Sequence, residues 1–345
     1  MSSTLSPVSW LEALSPWPEK FGLDRMRALL RDLGDPQHAY PSIHVVGTNG
    51  KSTATRTVAA LLRAEGLHVA AYTSPHVAGW HERLDADPAT FERALERVRP
   101  FAEGATQFEV LTAAALAEFR EQGVGAAVIE AGLGGRYDAT NVIDAPVVLL
   151  TNVGLDHTDV LGETRAEIAR EKLAVVKPGA VVVLGEPEWA PLVPENEVVV
   201  GGAREAASAF LGRPVEREVG VSLPGRLEWR GPNEVWDGAH NPMGLEWQAH
   251  RLPPRDWNIV ASVMADKDVN AMLERLARVG RTLIATRASN PRALDEKELA
   301  RRAEPYFDVV ELEADPVLAL RRARELGPVL ATGSLYLLAD LWKGE

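Results

Sequence analysis

Residues His44 to Thr53 read H-V-V-G-T-N-G-K-S-T, a short apolar run that breaks into a glycine turn and closes on Lys51 and two hydroxyls. Backbone N–H groups of such a turn, the positive end of a following helix and one ammonium converge on one volume, which suits a nucleotide polyphosphate. Val45 stands where the strict G-x-x-x-x-G-K-[ST] pattern has its first glycine, so the loop is a shorter variant, G-x-x-G-K-S-T. Polar residues that directly follow apolar strand runs are the other places to look, because ligands of open parallel sheets bind beyond the strands' carboxyl ends. Glu130 ends the run Ala126–Glu130 and leads into glycines at 132, 134 and 135, a placement suited to a magnesium-holding carboxylate but equally to a helix cap. Asp156-His157 follows the run that starts at Val147, and Thr73-Ser74-Pro75-His76 follows a second strand. Each of these also fits a purely structural role when read alone.

The elements that must carry these residues alternate along the chain. Strand-like stretches are expected at Ile43–Val46, His68–Tyr72, Ala126–Glu130, Val147–Val153 and Val181–Leu184, with helices at Ser52–Glu65 and Thr164–Val176. Such alternation implies a parallel sheet covered by helices. The Thr164 helix opens on the capping box Thr164-x-x-Glu167 and stops before Lys177-Pro178-Gly179. The pattern turns irregular over 187–194. A second βα series follows residue 221, with strands at Asn258–Met264, Thr282–Thr286 and Val309–Leu312, a helix from Val269 and a helix capped by Asp295 with Glu298. The fold class expected is therefore α/β: a first domain over 1–220 that carries the phosphate loop and a second, smaller α/β domain over 221–345, with the boundary near 216–224.

Composition narrows the chemistry. The 345 residues are 46% hydrophobic and 25% charged, enough to bury two cores. No apolar run reaches the roughly 18 residues that cross a bilayer, so a cytoplasmic protein without a membrane partner is expected. With no cysteine, thiolate metal sites and a cysteine nucleophile are excluded, and magnesium on oxygen or histidine ligands is the metal expected. A net charge of -12 argues against nucleic acid as a partner.

Taken together, the motifs are more specific. Gly47–Lys51, Thr73–His76, Glu130–Asn141, Asp156-His157 with Leu161–Thr164, Glu171-Lys172, Pro224-Gly225-Arg226, Asp237–Pro242, Asp266-Lys267-Asp268 and Gly333–Tyr336 occur in the order found in folylpolyglutamate synthase/dihydrofolate synthase. From about Trp10 onward the chain resembles that family, which belongs with the Mur ligases. The resemblance implies a P-loop domain and a Rossmann-like domain that bind MgATP between them. It also implies an ATP-dependent ligase that joins L-glutamate to dihydropteroate or reduced folates through an acyl phosphate, in folate biosynthesis and one-carbon metabolism.

Carried over residue by residue, Gly47, Thr48, Asn49, Gly50, Lys51, Ser52 and Thr53 would hold the ATP phosphates. Ser74, Glu130 and His157 match magnesium positions, with Ser52 and Thr53 as second choices. Lys172 matches a lysine that such enzymes carry as a carbamate, which would serve a second magnesium; by position alone it reads as a snorkelling helix lysine. Arg226, Asp237, His240 and Asn241 match nucleotide-facing residues of the second domain. Asp266 and Lys267 would help place the incoming amino acid or the phosphate, and Arg83 falls in a loop over the active site. The implied state is a monomer.

The chain departs from the family in three places. The stretch Asp85–Pro88 is abbreviated, Ala203–Ala207 lacks the asparagine that touches adenine, and Ser52 replaces a common glycine. Two other readings remain at this stage. One is a Mur-type ligase that joins an amino acid to a cell-wall precursor, and the other is a non-catalytic ATP-binding relative.

Overall fold

A computed structural model describes residues 5–345, which divide into two compact units. The first comprises residues 5–75 and Trp80–Val221; the second comprises Ser222–Glu345 together with His76–Gly79.

Six strands form the sheet of the first unit: β1 Ser42–Val46, β2 Val69–Tyr72, β3 Ala126–Glu130, β4 Val147–Leu150, β5 Val181–Leu184 and β6 Glu197–Val200. Their order is β2-β3-β1-β4-β5-β6 and every pairing is parallel. Valine, isoleucine and alanine dominate β1 to β5 because both faces of the sheet are covered. Alternate residues enter separate cores. Ile43, Val45, Ala71, Val128 and Leu149 pack with Val58 and Leu62 of the helix Lys51–Ala64 and with Ala206 and Ala207. Val46, Tyr72, Ile129 and Leu150 pack on the opposite face with Val110, Leu111 and Phe119 of the helix Gln107–Glu121. His44 shares the parity of Val46, so a polar ring enters this second face.

The helix from Thr164 keeps its capping box, with Thr164 bonded to the Glu167 N–H, but runs only over Arg165–Leu173. Pro178 disfavours helical geometry just before it, and the chain leaves the helix through a Val176 to Leu173 turn bond of 3.0 Å. The irregular stretch expected over 187–194 contains a 3₁₀ segment, Pro187–Leu192.

The second unit holds β7 Glu228–Gly231, β8 Glu234–Trp236, β9 Asn258–Ala261, β10 Thr282–Ala285, β11 Val309–Leu312 and β12 Val329–Thr332. The order is β11-β10-β9-β12-β8-β7, parallel except for the β7–β8 hairpin. Helices cover both faces, and Asp268, Asp295, Asp315 and Ser334 each cap one through a side-chain oxygen. Val77 lies in the apolar core of this unit with Trp236, Leu335 and Leu338, which ties the short segment 76–79 to it.

Candidate active site

Three neighbouring strands, β3, β1 and β4, release their carboxyl ends side by side, and the phosphate loop leaves from the middle one. Gly47 (φ 149°) and Gly50 (φ 77°) both take backbone conformations that favour glycine, and Gly50 sits at the N-cap of the helix Lys51–Ala64. A side chain at 47 would collide with the Thr151 hydroxyl. The loop is held by the residues that follow β4. Thr151 Oγ1 donates to the Asn49 carbonyl (2.8 Å) and Asn152 Nδ2 donates to the same oxygen (3.0 Å). Asn49 N–H donates to Asn152 Oδ1 (2.9 Å), Thr48 N–H to the Asn152 carbonyl (2.9 Å), and Gly154 N–H to Thr48 Oγ1 (2.9 Å). These bonds hold the Asn49 carbonyl and the Thr48 and Asn49 N–H groups in place, so the turn is braced from the β4 side. Lys51 Nζ lies 3.3 Å from the Thr48 carbonyl and Ser52 is buried, whereas Thr53 is exposed.

Glu130 stands at the exit of β3, 1% exposed. One carboxylate oxygen accepts from the Ser52 hydroxyl (3.0 Å) and the other from the backbone N–H of Ser74 (3.0 Å). Ser52, Ser74 and Glu130 thus come together from three separate stretches of chain. Among the described residues no three His, Asp or Glu side chains converge to cage a metal. A carboxylate bonded to the Ser52 hydroxyl, beside a phosphate loop, is instead the kind of hard-oxygen donor that suits magnesium, which takes few protein ligands and completes its shell with phosphate and water. His157 has a left-handed backbone (φ 50°) at the N-cap of a short helix, and its Nε2 lies 3.8 Å from Asp156.

Lys172 is the least ordinary group. It is 4% exposed, and its Nζ donates to the Gly47 carbonyl at 2.9 Å. Burial, reinforced by the charge of Lys51, lowers its pKa to about 7, against the opposing pull of Asp156, Asp138 and Glu171. A buried amine that is partly neutral near pH 7 is a nucleophile, and it is not a snorkelling surface lysine.

Behind these groups lies a network that the sequence did not reveal. Asp138 accepts from the Leu133 N–H (2.7 Å), the Thr140 N–H (3.0 Å) and the Thr140 hydroxyl (2.5 Å). Thr140 Oγ1 also lies 2.8 Å from His44 Nε2. Burial raises the Asp138 pKa, opposed chiefly by the Thr140 bond, and lowers that of His44 to about 3.

The abbreviated stretch after Leu84 is a stapled turn. Asp85 has a left-handed backbone (φ 53°) and pairs with Arg56 and Arg63 of the Lys51 helix. Arg56 also donates to the Glu82 carbonyl (2.5 Å), and the Thr73 N–H to the carbonyl of Arg83 (2.9 Å), so the Arg83 segment is fastened to the phosphate-loop helix.

In the second unit Asp237 is buried and organises a turn. It accepts from the N–H groups of Leu227 (2.7 Å) and Ala239 (3.0 Å) and from Gln248 (3.0 Å), and burial raises its pKa. The Arg226 guanidinium lies against Gly238, His240 Nδ1 is 3.0 Å from the Gly238 carbonyl, and Asn241 caps the helix Pro242–Ala249. Lys267 is largely buried and 3.8 Å from Asp266.

Known proteins resemble this chain in sequence and fold. The Mur ligase middle domain family matches residues 45–200, the span from β1 to β6. A dihydrofolate synthase/folylpolyglutamate synthase of Mycobacterium tuberculosis is 32% identical over an alignment of 390 positions, covering 84% of this chain and 80% of that protein. A Mycobacterium tuberculosis folylpolyglutamate synthase complexed with ADP superposes with a TM-score of 0.88 at 30% identity, covering 97% of each chain. The bifunctional folylpolyglutamate synthase/dihydrofolate synthase of Yersinia pestis CO92, complexed with AMPPNP and a Mn ion, gives 0.85 at 25% identity, covering 99% of this chain and 98% of that one. Fold and site together define a Mur-ligase-like protein built around a nucleotide loop. Within that class, the chain belongs to the dihydrofolate synthase/folylpolyglutamate synthase family. Among the described residues no helix is long and apolar enough to cross a membrane.

Proposed function

We propose that this protein is an ATP-dependent carboxylate–amine ligase that adds L-glutamate to dihydropteroate, to reduced folates, or to both. The observation that carries the reading is the clamped Gly47–Gly50 loop, with Lys51 at the helix start and the buried Glu130 carboxylate held beside it by Ser52 and Ser74.

The chemistry follows from the inertness of a carboxylate toward amines. A pterin carboxylate oxygen attacks the γ-phosphorus of ATP, the bond to the β–γ bridging oxygen breaks, and ADP leaves. The positive end of the Lys51–Ala64 helix and the Lys51 ammonium offset the charge that gathers on the phosphates. The glutamate amine then attacks the acyl carbon and loses a proton, and phosphate departs with the carboxylate oxygen.

Ser74, Glu130 and His157 would hold a magnesium ion, with Ser52 beside them; when bound, such an ion supplies further charge compensation on the phosphates. Lys172, as a carbamate formed from its neutral amine and CO₂, would supply oxygen ligands to a second. Arg226, Asp237, His240 and Asn241 are assigned to the nucleotide, with Asp237 acting through the turn it organises. Asp266 and Lys267 are assigned to glutamate or phosphate. The functional division falls near residue 220, and the enzyme works as a cytoplasmic monomer on small molecules.

The test is ADP release with MgATP and L-glutamate, comparing dihydropteroate with tetrahydrofolate and weighing the products. A one-glutamyl mass increase on dihydropteroate alone makes it a dihydrofolate synthase, and an increase on both makes it bifunctional. No increase on either overturns the reading.

A further inference from the structure

The chain of bonds from β1 to the glycine loop has a direction. Asp138 receives two backbone N–H groups and the Thr140 hydroxyl, so it acts as acceptor on both oxygens. Thr140 spends its proton on Asp138, which leaves its oxygen to accept, and His44 Nε2 lies 2.8 Å from it. The buried ring is therefore the neutral Nε2–H tautomer.

The far end of the network touches the helix that carries Lys172. Leu133 is pinned by Asp138, and two residues on, a Cβ at Gly135 would meet the carbonyls of Lys172 and Glu171 at 2.5 and 2.6 Å. Arg136 N–H donates to the Glu171 carbonyl (3.2 Å), and its guanidinium pairs with the Glu171 carboxylate (3.1 Å). Asn141 Nδ2 closes the loop on the Arg136 carbonyl (2.9 Å), and Lys177 holds Asn141 from the other side (3.0 Å). At its near end, His44 lies one residue before Val45, whose neighbour across the sheet is Glu130.

We propose that His44, Thr140 and Asp138 form a buried positioning relay. It presses the 132–135 loop onto the carbonyls of Glu171 and Lys172, and thereby sets where the Lys172 amine stands beside the Gly47 carbonyl. None of the three touches a reactant; they act through Lys172, and the proposal rests on the active-site reading given above. Glycine is needed at 135 because the relay brings the two backbones too close for a side chain. A hydroxyl is needed at 140 because that link must receive the bond from His44 and pass one on to Asp138 in a dry interior.

Thr140→Val keeps the volume and removes both side-chain bonds, while Thr140→Ser keeps them. With the ligation assay above, Thr140→Val should lower kcat roughly 10-fold or more while KM for ATP stays within about 2-fold, and Thr140→Ser should lie within about 3-fold of wild type. Hydrogen exchange of the backbone over 132–137 and 171–173 should accelerate in Thr140→Val and not in Thr140→Ser. Should Thr140→Val fail to fold, the pair His44→Leu and His44→Gln takes its place, with the glutamine amide supplying the N–H donor. Wild-type kinetics in the variant that lacks the bonds, or equal loss in both members of a pair, overturns the relay. If the wild-type protein does not ligate, the functional reading fails, and the exchange pattern alone then decides the relay.

Discussion

Acid should destabilise this protein through His44 in a window that can be calculated. The ring is 1% exposed, and burial with the nearby Lys177 charge lowers its pKa to about 3, against an unfolded value of about 6.5. Between those values the unfolded chain binds a proton that the folded chain refuses. Stability is therefore intact above about pH 6.5 and is lost as the pH falls from there toward 3. At pH 5 the folded ring is still neutral, so the loss depends only on the unfolded one and amounts to about 2 kcal/mol, growing to about 4 kcal/mol at pH 3.

Other groups titrate over the same range, so the perturbation is His44→Gln, which keeps an N–H donor and removes the titration. Urea unfolding of both proteins at pH 8 and pH 5 gives the double difference. The wild type should lose about 2 kcal/mol more than the variant on acidification. Equal losses in the two proteins would mean that His44 is charged or solvated in the fold, and would refute the neutral-tautomer argument with it.

Three further outcomes are expected from the site. Lys51→Ala should abolish ligation, with kcat reduced at least about 10³-fold and the urea midpoint unchanged, because among the described residues the side chain's bond is the weak 3.3 Å contact to Thr48; steady-state kinetics and urea unfolding check this. Lys172→Ala should lose activity and regain part of it in millimolar formate or acetate, which supply the missing carboxylate; full activity without added acid would make the lysine structural. Gly135→Ala forces a methyl group against two backbone carbonyls that no rotamer change can relieve, so both the melting temperature and kcat should fall, measured by calorimetry and ADP release.

Several strand runs were legible in the sequence from consecutive aliphatic residues, in the buried β3 and β5 and also in β11, an exposed edge strand. Ala126–Glu130, Val181–Leu184 and Val309–Leu312 match β3, β5 and β11 end to end. Ends were less legible where polar residues continue an apolar run. The run expected to reach Val153 stops at Leu150, because Thr151 and Asn152 turn away to hold Asn49. The run expected to reach Met264 stops at Ala261, where Ser262 Oγ accepts from the Ala288 N–H. Strands β6, β7, β8 and β12 went unread; β6 and β7 are sheet edges that carry charged residues, and β8 is only 3 residues long.

Thr48–Ser52 and Glu130 could be read from spacing, since loop and carboxylate each follow a strand. The clamp by Thr151 and Asn152 and the relay from His44 could not. Their partners lie about 100 residues away in sequence, and a histidine inside H-V-V looks like any strand residue. The parity of His44 with Val46 was the one available signal, since it places a polar ring on a face meant for the core.

The central claim is that ligation proceeds by phosphoryl transfer to the substrate's own carboxylate. The most direct measurement uses dihydropteroate labelled with ¹⁸O in that carboxylate, with MgATP and L-glutamate, and determines the isotope in the released phosphate by mass spectrometry. If an acyl phosphate forms, the oxygen that attacked phosphorus departs with it, so each phosphate released during ligation should carry one ¹⁸O. Ligation that yields unlabelled phosphate would contradict the account, because the carboxylate would then have been activated without ever bonding to the γ-phosphorus.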